Sequence, residues 1–160
     1  MINVRTATDS DRDAIWEIVH EVIAPGDTYA FDPQMSCDDA LAYWFRSDTH
    51  TYVAELDGLK PSSLQSSHCL VGTYILRPNQ SGGGAHVANA AFMVASNARG
   101  RGVGRAMGEH CLSEARRLGF RAMQFNSVVS TNESAVKLWQ QLGMKIVGTL
   151  PGAFRHPEKG

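Results

Sequence analysis

Residues 98 to 110 read ARGRGVGRAMGEH, with glycines at 100, 102 and 104 set among Arg99, Arg101 and Arg105. Glycine lets backbone N–H groups approach a ligand, and a helix starting there would turn its free N–H groups and positive dipole toward an anion. The chemistry on offer is phosphate binding. Spacing excludes two common forms of it. G-x-x-x-x-G-K-[ST] is absent, and G-x-G-x-x-G fails because Gly100 and Gly102 lead to Arg105, while Gly102 and Gly104 lead to Met107. What remains is Arg99-x-x-Gly102-x-Gly104, with Val103 between the last two glycines. Arg101 and Arg105 can add charge-assisted hydrogen bonds, and a helix dipole adds about 0.3–1 kcal/mol per anionic group. The same residues also suit a sharp solvated turn that needs glycine only for its geometry.

Such a loop needs a strand before it and a helix after it, and the sequence supplies both. "AHVANAAFMVAS" has the composition of the strand, and Val103, Met107, Cys111, Ala115 and Leu118 fall on one face of a helix that Gly119 closes. Upstream, "INVRTA" alternates as a first strand. Thr8 and Asp9 can cap a helix in which Ile15, Ile18, Val19 and Val22 keep helical spacing. Pro25-Gly26 ends it and opens the loop "PGDTYAFDPQMS". Ser36 can cap a second helix, "CDDALAYWFRS", with Leu41, Trp44 and Phe45 on one face. "HTYVAEL" and "HCLVGTYIL" form neighbouring antiparallel strands, and "DGLKPSSLQSS" between them is expected to be a mobile surface loop. Downstream come a strand, "RAMQFNSVV", and a helix, "STNESAVKLWQQLG". Ser130 and Glu133 have capping-box spacing there, and Gly143 fits the C′ position. "MKIVGTL" is the expected last strand. This order describes a mixed sheet with helices on both faces, in one domain over residues 1–160.

The whole-chain balance narrows the function classes. With 43% hydrophobic and 19% charged residues the chain is an ordinary globular protein, and a formal net charge of −1 gives no footing for a nucleic-acid partner. Its apolar runs are too short for a membrane span, and "MINVRTATDSDRD" does not resemble a signal peptide. Cys37, Cys69 and Cys111 are odd in number and widely spaced, which suggests reduced thiols and a cytoplasmic protein. The six histidines form no i, i+4 pair and no cluster with carboxylates, so no metal site is expected.

Arg99-x-x-Gly102-x-Gly104, entering a helix after a strand, resembles the acetyl-CoA-binding motif of the GNAT N-acetyltransferases. "STNESAVKLWQQLGMKIVG" is similar to that family's N-x-x-A-x-x-x-Y-x-x-x-G-F segment. The resemblance runs from about residue 2 to residue 157 and is most specific from 86 to 148. "GDTYAF", "HVANAAFMV", "FNSVVSTN" and "GTLPGAFRHP" are similar to the subgroup of proline-analogue (azetidine-2-carboxylate) N-acetyltransferases. The resemblance implies a mixed, mostly antiparallel central sheet and acetyl-CoA as acetyl donor. Its pyrophosphate would lie on N–H groups of Arg101, Gly102, Val103, Gly104 and Arg105, beside Arg99. The pantetheine arm would run in a gap between the strands flanking that helix, along the backbone of Phe92, Met93 and Val94, with Asn132 at its far side. Family members continue past "GAFRHP" into a further strand, so the sheet is expected to lack its last C-terminal strand, and a homodimer is expected.

Acetyl transfer to an amine needs a neutral amine, a stabilised oxyanion and a protonated leaving thiolate. A backbone N–H from Met93 or Val94 could polarise the thioester oxygen, and Asn89 and Asn126 lie on the strands expected to flank the reacting centre. Either amide could donate to the oxyanion or fix the substrate; a lone strand Asn also fills a bulge or caps an edge. Many family members place a tyrosine acid where this chain has Trp139, whose indole N–H has no useful acidity. His86 and Asp27 are the nearest titratable groups, and the base is left unassigned. Thr28, Tyr29 and Phe31 could wall an acceptor pocket or pack the N-terminal helices. The expected reaction is acetylation of a small-molecule amine, such as an amino or imino acid. A non-catalytic CoA-binding sensor or interaction module is the alternative.

Overall fold

In the computed structural model, residues 1–58 and 70–159 are described. Cys69 and nearly all of "DGLKPSSLQSS" lie outside the described residues. Five strands, β1 (Ile2–Thr6), β2 (His50–Leu56), β3 (Leu70–Pro78), β4 (Val87–Val94) and β5 (Ala122–Met123), form one sheet in that order. Every pairing is antiparallel except β4–β5. The parallel pair requires a crossover, which α3 (Val103–Arg117) supplies. The expected mixed sheet with helices on both faces is what forms.

Continuous apolar runs in β2 and β3 are buried on both sides, as a sheet covered by helices on both faces demands. Alternation divides the core. Tyr52, Tyr74, Leu76, Ala88 and Ala90 meet Val103, Met107, Cys111 and Ala115 of α3 on one face. Val53, Ile75 and Met93 meet α1 (Arg12–Ile23) and α2 (Cys37–Trp44) on the other. The buried Trp44 indole donates to Thr73 Oγ1 at 3.1 Å, so its N–H is satisfied inside the core. Ser36 caps α2 as expected, its hydroxyl accepting from the Asp39 N–H at 3.1 Å.

At the β1 edge, the Arg5 guanidinium bridges Asp11 at 2.7 and 2.9 Å and Glu55 at 2.8 Å. This ties β1 and β2 to the 3-10 turn Asp9–Asp11 that precedes α1. The hydrogen bonds from Arg5, with those from Thr8, hold the buried Asp11 carboxyl at about 2.

Three local expectations are corrected. The strand expected at "MKIVGTL" does not form, and Ile146, Val147 and Leu150 are 65%, 96% and 69% exposed. A strand needs a neighbour as well as an apolar pattern, and β5 keeps only two residues in its ladder. "RAMQFNSVV" shrinks to Ala122–Met123 for a related reason: β4 and the following chain diverge. The cap of α4 (Glu133–Gln141) is Asn132 rather than Ser130, and its side chain accepts from the Ala135 N–H at 3.3 Å. Gly143 takes the expected left-handed C′ conformation, with φ +91°.

Candidate active site

The divergence of β4 and β5 creates the site. The Arg121 N–H donates to the His86 carbonyl at 2.9 Å and the Gln124 N–H to the Ala88 carbonyl at 2.8 Å. Even-numbered β4 residues therefore turn their backbone toward β5. Odd-numbered positions face β3, since the Ala95 N–H reaches the Val71 carbonyl at 2.9 Å and the Asn79 N–H reaches the Val87 carbonyl at 2.7 Å. Past Gln124 the β4–β5 ladder stops, leaving the backbone of Ala90, Phe92 and Val94 along a cleft of about 810 Å³. Of the two amides expected at the thioester, that of Val94 turns to this cleft. Met93 also lines it, but strand alternation turns the Met93 amide to β3 and its side chain is buried.

One end of the cleft is made of backbone. Gly100 and Gly102 have φ +74° and +84°, a left-handed region that costs other residues about 1–2 kcal/mol. Their turn swings the chain from β4 into α3, whose N-cap Gly102 has no side chain to cap the helix. The first α-helical bond runs from the Ala106 N–H to the Gly102 carbonyl, so the N–H groups of Val103, Gly104 and Arg105 are the open ones. The Arg101 N–H instead closes a turn onto the Ala98 carbonyl at 3.3 Å, and Arg101 is not part of the cleft wall. Arg99 is exposed on that wall. The Arg105 guanidinium is drawn sideways, bonding Gln141 and lying 3.7 Å from Glu109. Gly104 has a second duty: a Cβ there would lie 3.3 Å from Leu138, and one at Gly108 would meet Leu142 at 2.6 Å. These two glycines, one turn apart, let α4 close on α3 and roof the cleft.

The middle of the cleft is aromatic. Trp139 from α4 packs on Phe92 and Phe125, with ring centroids 4.7 and 4.8 Å away. Asn132 lines the cleft too, its carbonyl oxygen already holding the Ala135 N–H and the Ser134 hydroxyl.

The opposite end is made of side chains. Asn89 donates from Nδ2 to the Gln124 carbonyl at 2.9 Å, bridging β4 and the chain after β5 at the point of divergence. Asn126 accepts from Gln124 Nε2 at 3.3 Å. Thr28, Tyr29 and Phe31 line the same cleft as these two amides. The Tyr29 hydroxyl donates to the Phe92 carbonyl and accepts from the Phe92 N–H at 3.0 Å, pinning the loop across β4. Burial pushes the Tyr29 phenol up to about 12, so it is a neutral donor throughout the physiological range. Phe31 stacks with Tyr29 and also packs against Trp44, so the loop serves both as cleft wall and as helix packing.

Two residues of this end were not singled out in the sequence. Arg77, near the end of β3, pairs directly with Asn89 across the ladder and donates to the Tyr43 hydroxyl at 2.6 Å. Its guanidinium carbon lies 4.8 Å from the centre of the Tyr43 ring. The one sequence signal was a lone charge closing the apolar run "LVGTYILRP"; the partners lie on elements that only folding brings together. Asp27 lines the cleft, whereas His86 is exposed and is not part of its wall. Cys111 sits in the core, where burial pushes its thiol up to about 12, unsuited to nucleophilic work. Among the described residues no three His, Cys, Asp or Glu side chains gather as metal ligands, and no helix is long and apolar enough to cross a membrane.

A split parallel strand pair, with open helix N–H groups at one end of its cleft and two side-chain amides at the other, marks a class of α/β domain. Comparison with known proteins gives that class its name. The acetyltransferase (GNAT) family matches residues 16–144, and the chain belongs to it. A GCN5-related N-acetyltransferase from Kribbella flavida is 44% identical, with a TM-score of 0.89 over 99% of this chain and 91% of that one. N-acetyltransferase aca1 of Schizosaccharomyces pombe is 29% identical over 139 residues, 83% of this chain, which spans 66% of the length of aca1. The fold is also that of yncA from Salmonella typhimurium, solved with its cofactor acetyl-CoA: 21% identical, TM-score 0.81, covering 97% of this chain and 86% of that one.

Proposed function

We propose that this protein is an N-acetyltransferase that moves the acetyl group of acetyl-CoA to the amine of a small molecule, an amino or imino acid. The observation that carries the reading is one cleft with open N–H groups of Val103, Gly104 and Arg105 at one end and Asn89 with Asn126 at the other. Those N–H groups, with Arg99, would hold the pyrophosphate, and the Val94 backbone and Asn132 would guide the pantetheine arm. The amine nitrogen attacks the thioester carbon, a C–N bond forms, the C–S bond breaks, and the amine proton leaves to solvent as the thiolate departs. Alignment of amine and thioester in such a cleft supplies about 7–11 kcal/mol of the barrier reduction. Asn89 and Asn126 would orient the amine or donate to the oxyanion, and Thr28, Tyr29 and Phe31 would close the acceptor pocket. Resemblance to the proline-analogue subgroup in the segments around Tyr29, Asn89 and Asn126 makes azetidine-2-carboxylate the first acceptor to try.

One observation favours the non-catalytic reading: Trp139 occupies the roof where a tyrosine acid would stand, and Asp27 is the one Asp, Glu or His among the described cleft-wall residues. A homodimer and a cytoplasmic setting complete the proposal. The first is supported by exposed Ile146, Val147 and Leu150, the second by free thiols at Cys37 and Cys111.

Thermal unfolding with acetyl-CoA, and with NADH and ATP as controls, tests the donor. At 100 times Kd, acetyl-CoA should stabilise the fold by about 2.7 kcal/mol, a shift of a few degrees. Thiol release in an amine panel then separates enzyme from sensor. A shift without release of thiol for any amine would leave the sensor reading. Absence of a shift in folded protein would remove both.

A further inference from the structure

The acceptor end of the cleft holds a cation with no acidic partner among the described residues. Arg77 stands on the sheet face that carries Asn89, because the two residues are paired across the β3–β4 ladder, about 5.5 Å apart at Cα. Tyr43 of α2 fixes the guanidinium from one side by its hydroxyl and its ring. Among the described residues no carboxylate lies within 4 Å of it, although Arg5, Arg12, Arg46, Arg105 and Arg117 each have one. Nor does Arg77 belong to the phosphate end. Asn89 and Val94 are five residues apart on an extended strand, roughly 17 Å. An arginine held in place and, among the described residues, lacking a carboxylate, inside a cleft beside the amide expected to handle the amine, has the chemistry to receive an anionic substituent of the acceptor.

We propose that Arg77, braced by Tyr43 and set beside Asn89, docks the carboxylate of the acceptor, so that the substrate class is α-amino and α-imino acids rather than simple amines. The inference rests on the acetyltransferase reading of this cleft and adds the residue that selects among acceptors. Tyr43 leaves part of the five-donor guanidinium fork for the ligand. An α-carboxylate on that fork places the adjacent nitrogen toward Asn89 and the open β4 backbone, where the thioester would lie.

The test is an acid-over-amine ratio. Wild-type enzyme is assayed by thiol release with azetidine-2-carboxylate against azetidine, proline against pyrrolidine, and a set of α-amino acids against their decarboxylated amines. Acids are expected to exceed their amines in kcat/KM by on the order of 10- to 100-fold, as a charge-assisted contact implies. Arg77→Gln should bring that ratio close to one, chiefly through KM. Arg77→Lys should restore it only in part, because an ammonium lacks the planar fork. Unchanged acetyl-CoA affinity in both variants excludes misfolding. A ratio unaltered by Arg77→Gln, or a wild-type preference for the amines, overturns the proposal. If wild type turns over no acceptor, the transferase reading fails, and Arg77 is judged by calorimetry of the same acids with the enzyme–CoA complex. Acid binding that Arg77→Gln abolishes sustains the docking role; binding equal in both proteins, or absent from wild type, overturns it.

Discussion

The two ends of the cleft are built from different materials. At the proposed phosphate end the groups on offer are the open N–H groups of Val103, Gly104 and Arg105, set by two left-handed glycines and the start of one helix. At the acceptor end they are side chains from α2, β3, β4, the loop after α1 and the chain after β5. Backbone donors are the same whatever residue carries them, so the first end can serve a cofactor portion shared by a whole family. Side chains can be exchanged singly, so the second end can set which amine is accepted. A generic half and a particular half meet at Phe92, whose backbone Tyr29 holds from the acceptor side.

The sharpest way to break this comparison is to damage each end and ask which kinetic constant moves. Asn89→Ala removes an amide from the acceptor end and should lower kcat by roughly 100-fold, the usual cost of one lost oxyanion donor. Acetyl-CoA affinity should stay close to wild type. Stopped-flow thiol release and calorimetric binding measure the two quantities; loss of affinity with kcat preserved would show Asn89 to be a strut between β4 and Gln124. Gly102→Val should do the reverse and do less. A β-branched residue at φ +84° is strained by about 1–2 kcal/mol, so acetyl-CoA should bind roughly 10-fold more weakly while kcat at saturation is kept. A kcat defect at saturating acetyl-CoA would mean that the two ends are not separable.

The same division explains what could be seen before folding. Gly100, Gly102 and Gly104 announce the phosphate end because a backbone site must be encoded within a few consecutive residues. The buried faces of α1 and α3 were equally legible, since helical spacing of Ile15, Ile18 and Val19, or of Val103, Met107 and Cys111, is a local property. Arg77 and Tyr43 lie 34 residues apart and carry no mutual signal until β3 and α2 pack. The failed strand at "MKIVGTL" has a similar cause. Its apolar residues fit a strand, but pairing depends on how far β5 continues beside β4, which no local pattern records. Met93 shows the finest version: whether its amide faces β3 or the cleft hangs on register, and one residue of shift inverts it.

A third region supplies the smallest effect and a control for both ends. Asp11, at the opposite edge of the sheet from the cleft, is held at about 2 against an ordinary 3.8 by its hydrogen bonds to Arg5 and Thr8. Its folded-state value lies below its unfolded value, so the unfolded chain binds the proton more readily. The resulting stability is therefore fully present above about pH 4 and is lost as pH falls toward 2, a difference of about 2 kcal/mol. In thermal unfolding from pH 6 down to pH 2, wild type should lose that increment, whereas Asp11→Asn should start lower and change less, the two curves converging at the acid end. Parallel curves would mean that the Arg5 contact does not perturb Asp11 in solution. At neutral pH and 25 °C the Asp11→Asn protein should bind acetyl-CoA within about twofold of wild type, because the carboxylate touches neither end of the cleft. A larger change would couple the β1 edge to α3, through the Ile2 side chain that a Cβ on Gly102 would meet at 3.9 Å, and the phosphate end could then no longer be treated as a purely local device.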